Sequence, residues 1–468
     1  MRERRNGAPT PARALPERGR TGACRAAFRR VALATVLAAA VASPAGAAGP
    51  APGAAADGIP PARTLDEIVA ATLASEESLR IIEGEVRKAE LRSKRYRLYL
   101  TPDVRATGAW TRTGAEESED GGGPESGESW SWALSLTQPL YTGGRATAAY
   151  RGQQHLEASV RLQVDLTGRA LTVAAAQAYY RVLGAGAAVD IGEKAIELAN
   201  RQFERATRRV ELGEAVLNDQ LRAEVTLRGL EAELAGARST LAQAREDVRR
   251  LSGLELAASP AVPPPLPRVA GSDEALVAEA LAARREPEQA RLAVSAAEED
   301  VREKKGRFLP SLALNAGYGE AGDEFSDRPW SWSAGVVLEV PIYQGGATTY
   351  ELRESRLGLE QQRLRAAGTS RDIEREVRNL LREIEAVRST VQSLDLGVAA
   401  SAENLRLAER RYEVGLADSI EVADAQRADV AARVGLVVAR YRLEALTLQL
   451  LSALGRDLSV GQAAPARP

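Results

Sequence analysis

Pro139-Leu140-Tyr141-Thr142-Gly143-Gly144 returns 202 residues later as Pro341-Ile342-Tyr343-Gln344-Gly345-Gly346. The same offset of 202 carries Gly213 onto Gly415 and Gly253 onto Gly455 without a gap. Upstream the offset is 208: Leu73 falls on Leu281, Leu79 on Pro287 and Pro102 on Pro310. Residues 65–255 and 273–455 are therefore two copies of one unit, and the fold is to be read as a pair.

What lies outside the copies is of a different kind. Arg25, Arg29 and Arg30 precede an apolar run over 31–42, and Ala45-Gly46-Ala47-Ala48 follows. Residues 1–48 have the layout of a secretory signal peptide, with an apolar core too short to span a bilayer as a helix. Cys24, the sole cysteine, precedes that run. A processed chain would hold no disulfide, thiolate metal site or thiol nucleophile. Residues 49–64 read as a flexible lead-in, 256–272 as a linker extended by Pro260, Pro263, Pro264, Pro265 and Pro267, and 456–468 as a short tail. Removing 1–48 takes nine Arg and two Glu, leaving 53 basic against 62 acidic side chains, a charge of −9. Nucleic acid is thereby disfavoured as a partner.

Each copy is dominated by long helical patterns. From Thr348 to Glu413 there is no proline, and Ile373, Val377, Leu380, Ile384, Val387, Val391, Leu394 and Val398 alternate spacings of four and three. That is a heptad seam. The matching stretch in the first copy carries smaller residues: Leu171, Ala175, Ala178, Val182, Ala185 and Val189. Each long helix ends at a turn glycine, Gly213 or Gly415, and a helix of half the length returns. The helices heading each copy, Leu65 to Leu100 and Asp273 to Phe308, are expected to be about as long as the returning ones, the second broken early by Pro287. Two half-length helices stacked end to end match one full-length helix.

Four short segments alternate with period 2. Trp110, Trp130, Trp132, Trp330 and Trp332, all five tryptophans, sit at the loop ends of these segments. Tyr99, Tyr141, Phe308 and Tyr343 sit at the other ends. Strands of this length with two aromatic levels have the pattern of a transmembrane β-sheet. The loops joining each pair, 113–127 and 319–328, are rich in Gly, Glu and Ser. Four strands do not close a barrel, since small barrels begin near eight, so several chains must combine. The fold class is mainly α with membrane β-strands: a tandem repeat of long coiled-coil helices with four strands per chain.

Catalysis has little to draw on. The single histidine, His155, has no partner cluster. Gly184-Ala185-Gly186 follows no strand and reads as small-residue packing. No catalytic residue, metal site or cofactor is expected. The informative charges flank the glycine turns: Asp219 and Glu421 stand six residues after Gly213 and Gly415, and Asp424 shares the face of Glu421. From the residues alone these acids are equally a solvated helix start, favoured by the dipole, and a functional ring.

The tandem unit, the two Pro-x-Tyr-x-Gly-Gly runs and the tip sequence Arg411-Tyr412-Glu413-Val414-Gly415 followed by Glu421-Val422-Ala423-Asp424-Ala425-Gln426 together resemble the TolC family of outer membrane efflux proteins. The resemblance covers the whole chain after the signal. It implies a homotrimer in outer-membrane lipid, a trimeric 12-stranded β-barrel to which each chain contributes four strands, continued by a long coiled-coil α-barrel that extends into the periplasm. There its helical tip meets an adaptor (a membrane fusion protein) and, through it, an inner-membrane pump. It implies passive conduction of cargo to the exterior, for efflux or type I secretion. It places Glu421 and Asp424 at the periplasmic entrance and sets Asp219 against Tyr412 between the helical pairs. A family arginine falls at Ala417 here, so its closing contact is missing, and the gate is either looser or held by Arg411 or Arg222 instead. A periplasmic coiled-coil adaptor is the alternative reading, though adaptors lack two strand pairs with aromatic girdles.

Overall fold

The computed structural model describes residues 63–114, 127–256, 260–323, 329–456 and 458. The expected signal peptide, most of the lead-in and nearly all of the tail lie outside the described residues. The first copy runs α1 (Leu65–Ser75), α2 (Glu77–Arg97), β1 (Asp103–Thr113), β2 (Gly127–Tyr141), α3 (Arg145–Glu211) and α4 (Leu217–Ser252). The second runs α5 (Asp273–Ala283), α6 (Glu286–Gly306), β3 (Ser311–Gly322), β4 (Trp330–Glu339), α7 (Ala347–Glu413) and α8 (Ser419–Ala453). Both long helices have 67 residues, about 100 Å at 1.5 Å per residue.

One expectation is corrected. The first head helix is not continuous: it breaks at Glu76, whose ψ of 125° leaves the helical region. The second breaks at Arg284, the residue that the offset of 208 places opposite Glu76. Both copies therefore divide into helices of 11 and 21 residues. Pro287 sits inside the first turn of α6, where its missing N–H is tolerated. Proline is not the shared cause. In the first copy α1 must leave the line of α2 to pack against both α3 and the end of α4, and the break allows this.

Six helices, α2, α3, α4, α6, α7 and α8, form one layer, against which α1 and α5 pack. At the strand end α3 lies between α2 and α6, and α7 lies beyond α6; at the tip end α3 lies between α4 and α8, and α7 lies beyond α8. Half-length helices thus flank α3 in stacked pairs. Ile373, Val377, Leu380, Ile384 and Val387 of the seam are buried against Leu276, Val277 and Ala280 of α5 and Leu446, Leu450 and Ala453 of α8. Each such side chain contributes about 1.5–3 kcal/mol by leaving water. In the first copy Ala175, Ala178, Val182 and Val189 are buried with Leu234, Leu241 and Val248 of α4. The layer keeps two open edges. Tyr350, Leu357 and Leu364, seven residues apart on α7, are exposed, as are Ile81 and Leu91 on α2.

The four strands pair antiparallel in the order β1-β2-β3-β4, leaving β1 and β4 as the outer strands. The register sorts the side chains. Trp110 faces Trp130, Val104 faces Leu136, Leu134 faces Tyr318, and Leu314 faces Val336, all on one face. The other face joins Thr107 to Ala133, Thr137 to Asn315, and Gly317 to Ser333. An irregularity between Pro139 and Tyr141 sets Tyr141 opposite Leu312, on the apolar face. Where β2 hands over to α3, Gly143 takes a φ of 64° and lies so close to α6 that an added Cβ would stand 2.5 Å from the Gly306 carbonyl oxygen. The sheet is thereby anchored on the helical layer.

Candidate functional site

Two regions carry the features expected of a working surface: the tip, where both glycine turns lie, and the apolar face of the sheet. At each tip a glycine with φ near 75° reverses the chain: Gly213 at 73° and Gly415 at 75°. The backbone closes alike in both. Glu214 N–H donates to the Arg209 carbonyl at 2.8 Å, and Leu416 N–H donates to the Arg411 carbonyl at 2.7 Å. Only the second turn has a side-chain cap: the Asp418 carboxylate accepts from the N–H groups of Ile420 and Glu421, both at 3.0 Å.

The two hairpins are tied to each other by polar contacts. Asp219 accepts from the Ser419 hydroxyl at 3.0 Å, bridging 200 residues of sequence. Asp219 and Tyr412 line the same cleft of about 500 Å³, but the bond that Asp219 makes is to Ser419, which sequence reasoning did not single out. The Arg209 guanidinium lies 5.3 Å from the Tyr412 ring centre. Arg205 pairs with Glu413 and Arg222 with Asp418, both at 3.8 Å across exposed surface. The Gln202 amide donates to Glu409 at 3.3 Å. Arg411 pairs with Glu421 within its own hairpin, so Glu421 is held while Asp424 is exposed on the same face. Exposed ion pairs of this kind contribute little each, about 0–1 kcal/mol, and are screened by salt. The tip contacts are weak individually and breakable as a set.

Above them sits a different contact. Gln426, the last residue of the tip sequence, is 1% exposed. Its amide donates to the Ala195 carbonyl of α3 at 3.1 Å, while its own carbonyl oxygen meets no partner among the described residues. Leu405 and Ala408 of α7 are buried against Val422 and Ala425 of α8, closing the apolar packing just above the turn. Large apolar side chains are nevertheless exposed at both turns: Leu212, Val216 and Leu217 in the first, Val414 and Leu416 in the second.

On the sheet, Trp110 and Trp130 lie 5.8 Å apart, Trp132 and Tyr318 5.5 Å, and Tyr318 stacks on Trp330 at 6.3 Å. The Trp132 indole N–H donates to Glu320 at 3.0 Å. These rings form one level at the loop end. Tyr141 at the end of β2 belongs to the other level; Tyr343 is exposed just beyond β4. Eleven residues separate Trp130 from Tyr141, roughly 28 Å along the normal for strands tilted near 40°. No described helix is long and apolar enough to cross a membrane. Among the described residues no cluster of His, Cys, Asp and Glu could hold a metal ion.

Comparison with known proteins agrees with this geometry. The profile of the family described as "Outer membrane efflux protein" matches residues 69–254 and 276–456, one match per copy. The chain is similar to the outer membrane efflux protein BepC of Brucella suis biovar 1 (strain 1330), 28% identical over 274 residues, 56% of this chain. That match spans only 58% of the Brucella protein's length. It is also similar to the outer membrane protein TolC of Vibrio cholerae (26% over 314 residues; 63% of this chain, 69% of that one). The probable efflux pump outer membrane protein TtgC of Pseudomonas putida is 23% identical over 402 residues, 84% of this chain and 82% of its own. Among solved structures, CusC superposes with a TM-score of 0.76 at 18% identity (84% of this chain, 92% of CusC). The VceC protein of Vibrio cholerae gives 0.71 at 18% (84% and 97%). The chain belongs to the outer membrane efflux protein family, whose members are outer-membrane channels reaching into the periplasm.

Proposed function

We propose that three copies of this chain assemble into a passive conduit that carries cargo from the periplasm to the exterior, as the outer-membrane part of a tripartite efflux or type I secretion system. The observation that carries the reading is the two-faced sheet. Its one face is apolar and ringed with tryptophan, its other face small and polar, and its outer strands β1 and β4 are open. An open edge is not tolerated in hydrocarbon. Joining β4 of one copy to β1 of the next satisfies every edge once three copies supply 12 strands, and the polar face then lines water. The exposed stripe on α7 and the exposed apolar residues of α2 become the matching seam in the helical part. BepC and TtgC are named as efflux proteins, which supports export as the direction of work.

The exposed apolar residues at both turns support docking of a periplasmic adaptor, which links the conduit to an inner-membrane pump. Asp219, Tyr412, Glu421 and Asp424 form the entrance in this reading, with Gly213 and Gly415 as the turns that shape it. Threefold repetition gathers six carboxylates from Glu421 and Asp424 and focuses a negative potential there. Planar-bilayer recording is the test. The reading predicts cation preference and block by multivalent cations from the periplasmic side, weakening with salt because screening acts beyond about 8 Å at physiological strength. Glu421→Gln with Asp424→Asn should reduce both effects and leave assembly intact. Unchanged selectivity and block would return these acids to an ordinary solvated helix start. Asp219→Ala should instead raise leak conductance, by freeing Ser419 and with it the tie between hairpins.

A further inference from the structure

The helical layer has two sides. On one, the Tyr179 hydroxyl donates to the Arg63 carbonyl at 2.8 Å, and Leu266 of the linker donates to Glu444 at 3.2 Å. That side carries a second layer made of α1, α5 and the linker. Gln177, Arg181 and Ala188 lie roughly 160–200° around α3 from Tyr179 at 3.6 residues per turn, on the uncovered side. There the walls of α3, α4 and α8 enclose a recess of about 800 Å³, within the range of small-molecule sites. In a tube of three such layers, the side without a second layer lines the bore.

Three features set this recess apart. Its floor is apolar: Gly184 leaves room for the Tyr441 ring, which would lie 3.7 Å from an added Cβ, and Val438 and Ala445 continue it. Its charge is of one sign. The lining holds Arg181 and Arg442 and no Asp or Glu, whereas the tip cleft, the strand-end cleft and the clefts beside α5 all contain carboxylates. Arg181 and Arg442 are each tied from outside the recess by one guanidinium nitrogen, to Asp247 at 3.3 Å and Glu383 at 2.8 Å. Lastly, Tyr180 in its wall is 3% exposed, and its hydroxyl meets no hydrogen-bond partner among the described residues. Burial pushes the Tyr180 and Tyr441 hydroxyls up from their ordinary range, so both remain protonated donors.

We propose that this recess is a binding site on the bore wall for amphipathic organic anions: a planar apolar body rests on Gly184, Val438 and Tyr441, and a carboxylate or sulfonate meets Arg181 and Arg442. Membrane lipid is not the source. Gly184 lies 39 residues along α3 from Arg145, about 58 Å from the sheet at 1.5 Å per residue. The proposal rests on the conduit reading only in making this side the bore.

The test uses the assembled protein in lipid nanodiscs, titrated with 1-anilinonaphthalene-8-sulfonate, with empty nanodiscs subtracted. Saturable binding is expected. Gly184→Leu fills the floor and should weaken it at least tenfold, with Ala188→Leu as the second filler if the first does not assemble. Arg181→Gln with Arg442→Gln should weaken the anionic probe by about tenfold, the scale of a charge-assisted contact, and leave the uncharged N-phenyl-1-naphthylamine unchanged. Absence of saturable binding, or equal binding by the filled and unfilled proteins, overturns the site. Loss of both probes alike in the arginine variant overturns the anion preference. Conductance of the same wild-type preparation separates the two readings. A conducting protein without saturable binding loses the recess alone, and a non-conducting protein with recess-dependent binding loses the conduit and keeps the site.

Discussion

Gly143→Ala should be among the most damaging single-methyl changes in this chain, and Gly144→Ala should be mild. Both glycines have positive φ, 64° and 79°, so each alanine carries the left-handed strain of about 1–2 kcal/mol. The surroundings then separate them. A Cβ on Gly143 would stand 2.5 Å from the Gly306 carbonyl oxygen and 2.9 Å from the Leu309 Cβ, while one on Gly144 meets nothing within 4 Å. The obstacle is backbone, not a flexible side chain, so relief requires the end of α6 to move away from the strand-to-helix turn. Overpacking of this kind costs about 1–3 kcal/mol, which puts Gly143→Ala at about 2–5 kcal/mol and Gly144→Ala at about 1–2. Gly306→Ala should carry the overpacking part alone, about 1–3 kcal/mol, because its Cβ would meet the Gly143 carbonyl oxygen at 2.6 Å but its φ is not positive. Urea denaturation of the purified detergent-solubilised protein, followed by far-UV circular dichroism, reads the difference. Equal midpoints for Gly143→Ala and Gly144→Ala would show that the sheet is not anchored through this contact.

Val387→Asp places a charge in the seam between α7 and its neighbours and should cost about 3–5 kcal/mol, abolishing assembly as read by gel filtration. Glu385→Lys, at an exposed position paired only with Arg388 at 2.9 Å, should assemble normally. At the break between α5 and α6, burial alone would raise the Glu286 carboxyl, but the Arg284 guanidinium beside it holds it below its ordinary 4.5. A depressed carboxyl stabilises the fold above its unfolded value and loses that contribution as pH falls through the folded one. The wild type should therefore lose more thermal stability than Glu286→Gln between neutral pH and pH values below 4.5, and parallel losses would refute the pairing.

Much of this architecture is legible because a repeat constrains two readings at once. The glycine turns, both 67-residue helices and their returning partners stand where the spacing and the proline-free stretches place them. The seam from Ile373 to Val387 is buried as its four-three alternation requires. The head-helix break at Glu76 left no trace in the residues, because its cause is the position of α4, which is far away in sequence. Ser419 was missed for the same reason: a serine at a helix start is ordinary until the fold brings Asp219 to it. In sequence, Gly184-Ala185-Gly186 beside the recess shows only small-residue packing. Small residues on one helix mark a close approach, but only the tertiary arrangement shows that Tyr441 and two arginines border the space.

In the proposed conduit the four-stranded sheet is one third of a closed barrel, and native mass spectrometry of the protein extracted from outer membranes tests this. A particle of three chains that keeps its secondary structure is expected. A monodisperse single chain with intact helices and strands would contradict it, because β1 and β4 would then stand unpaired in the bilayer.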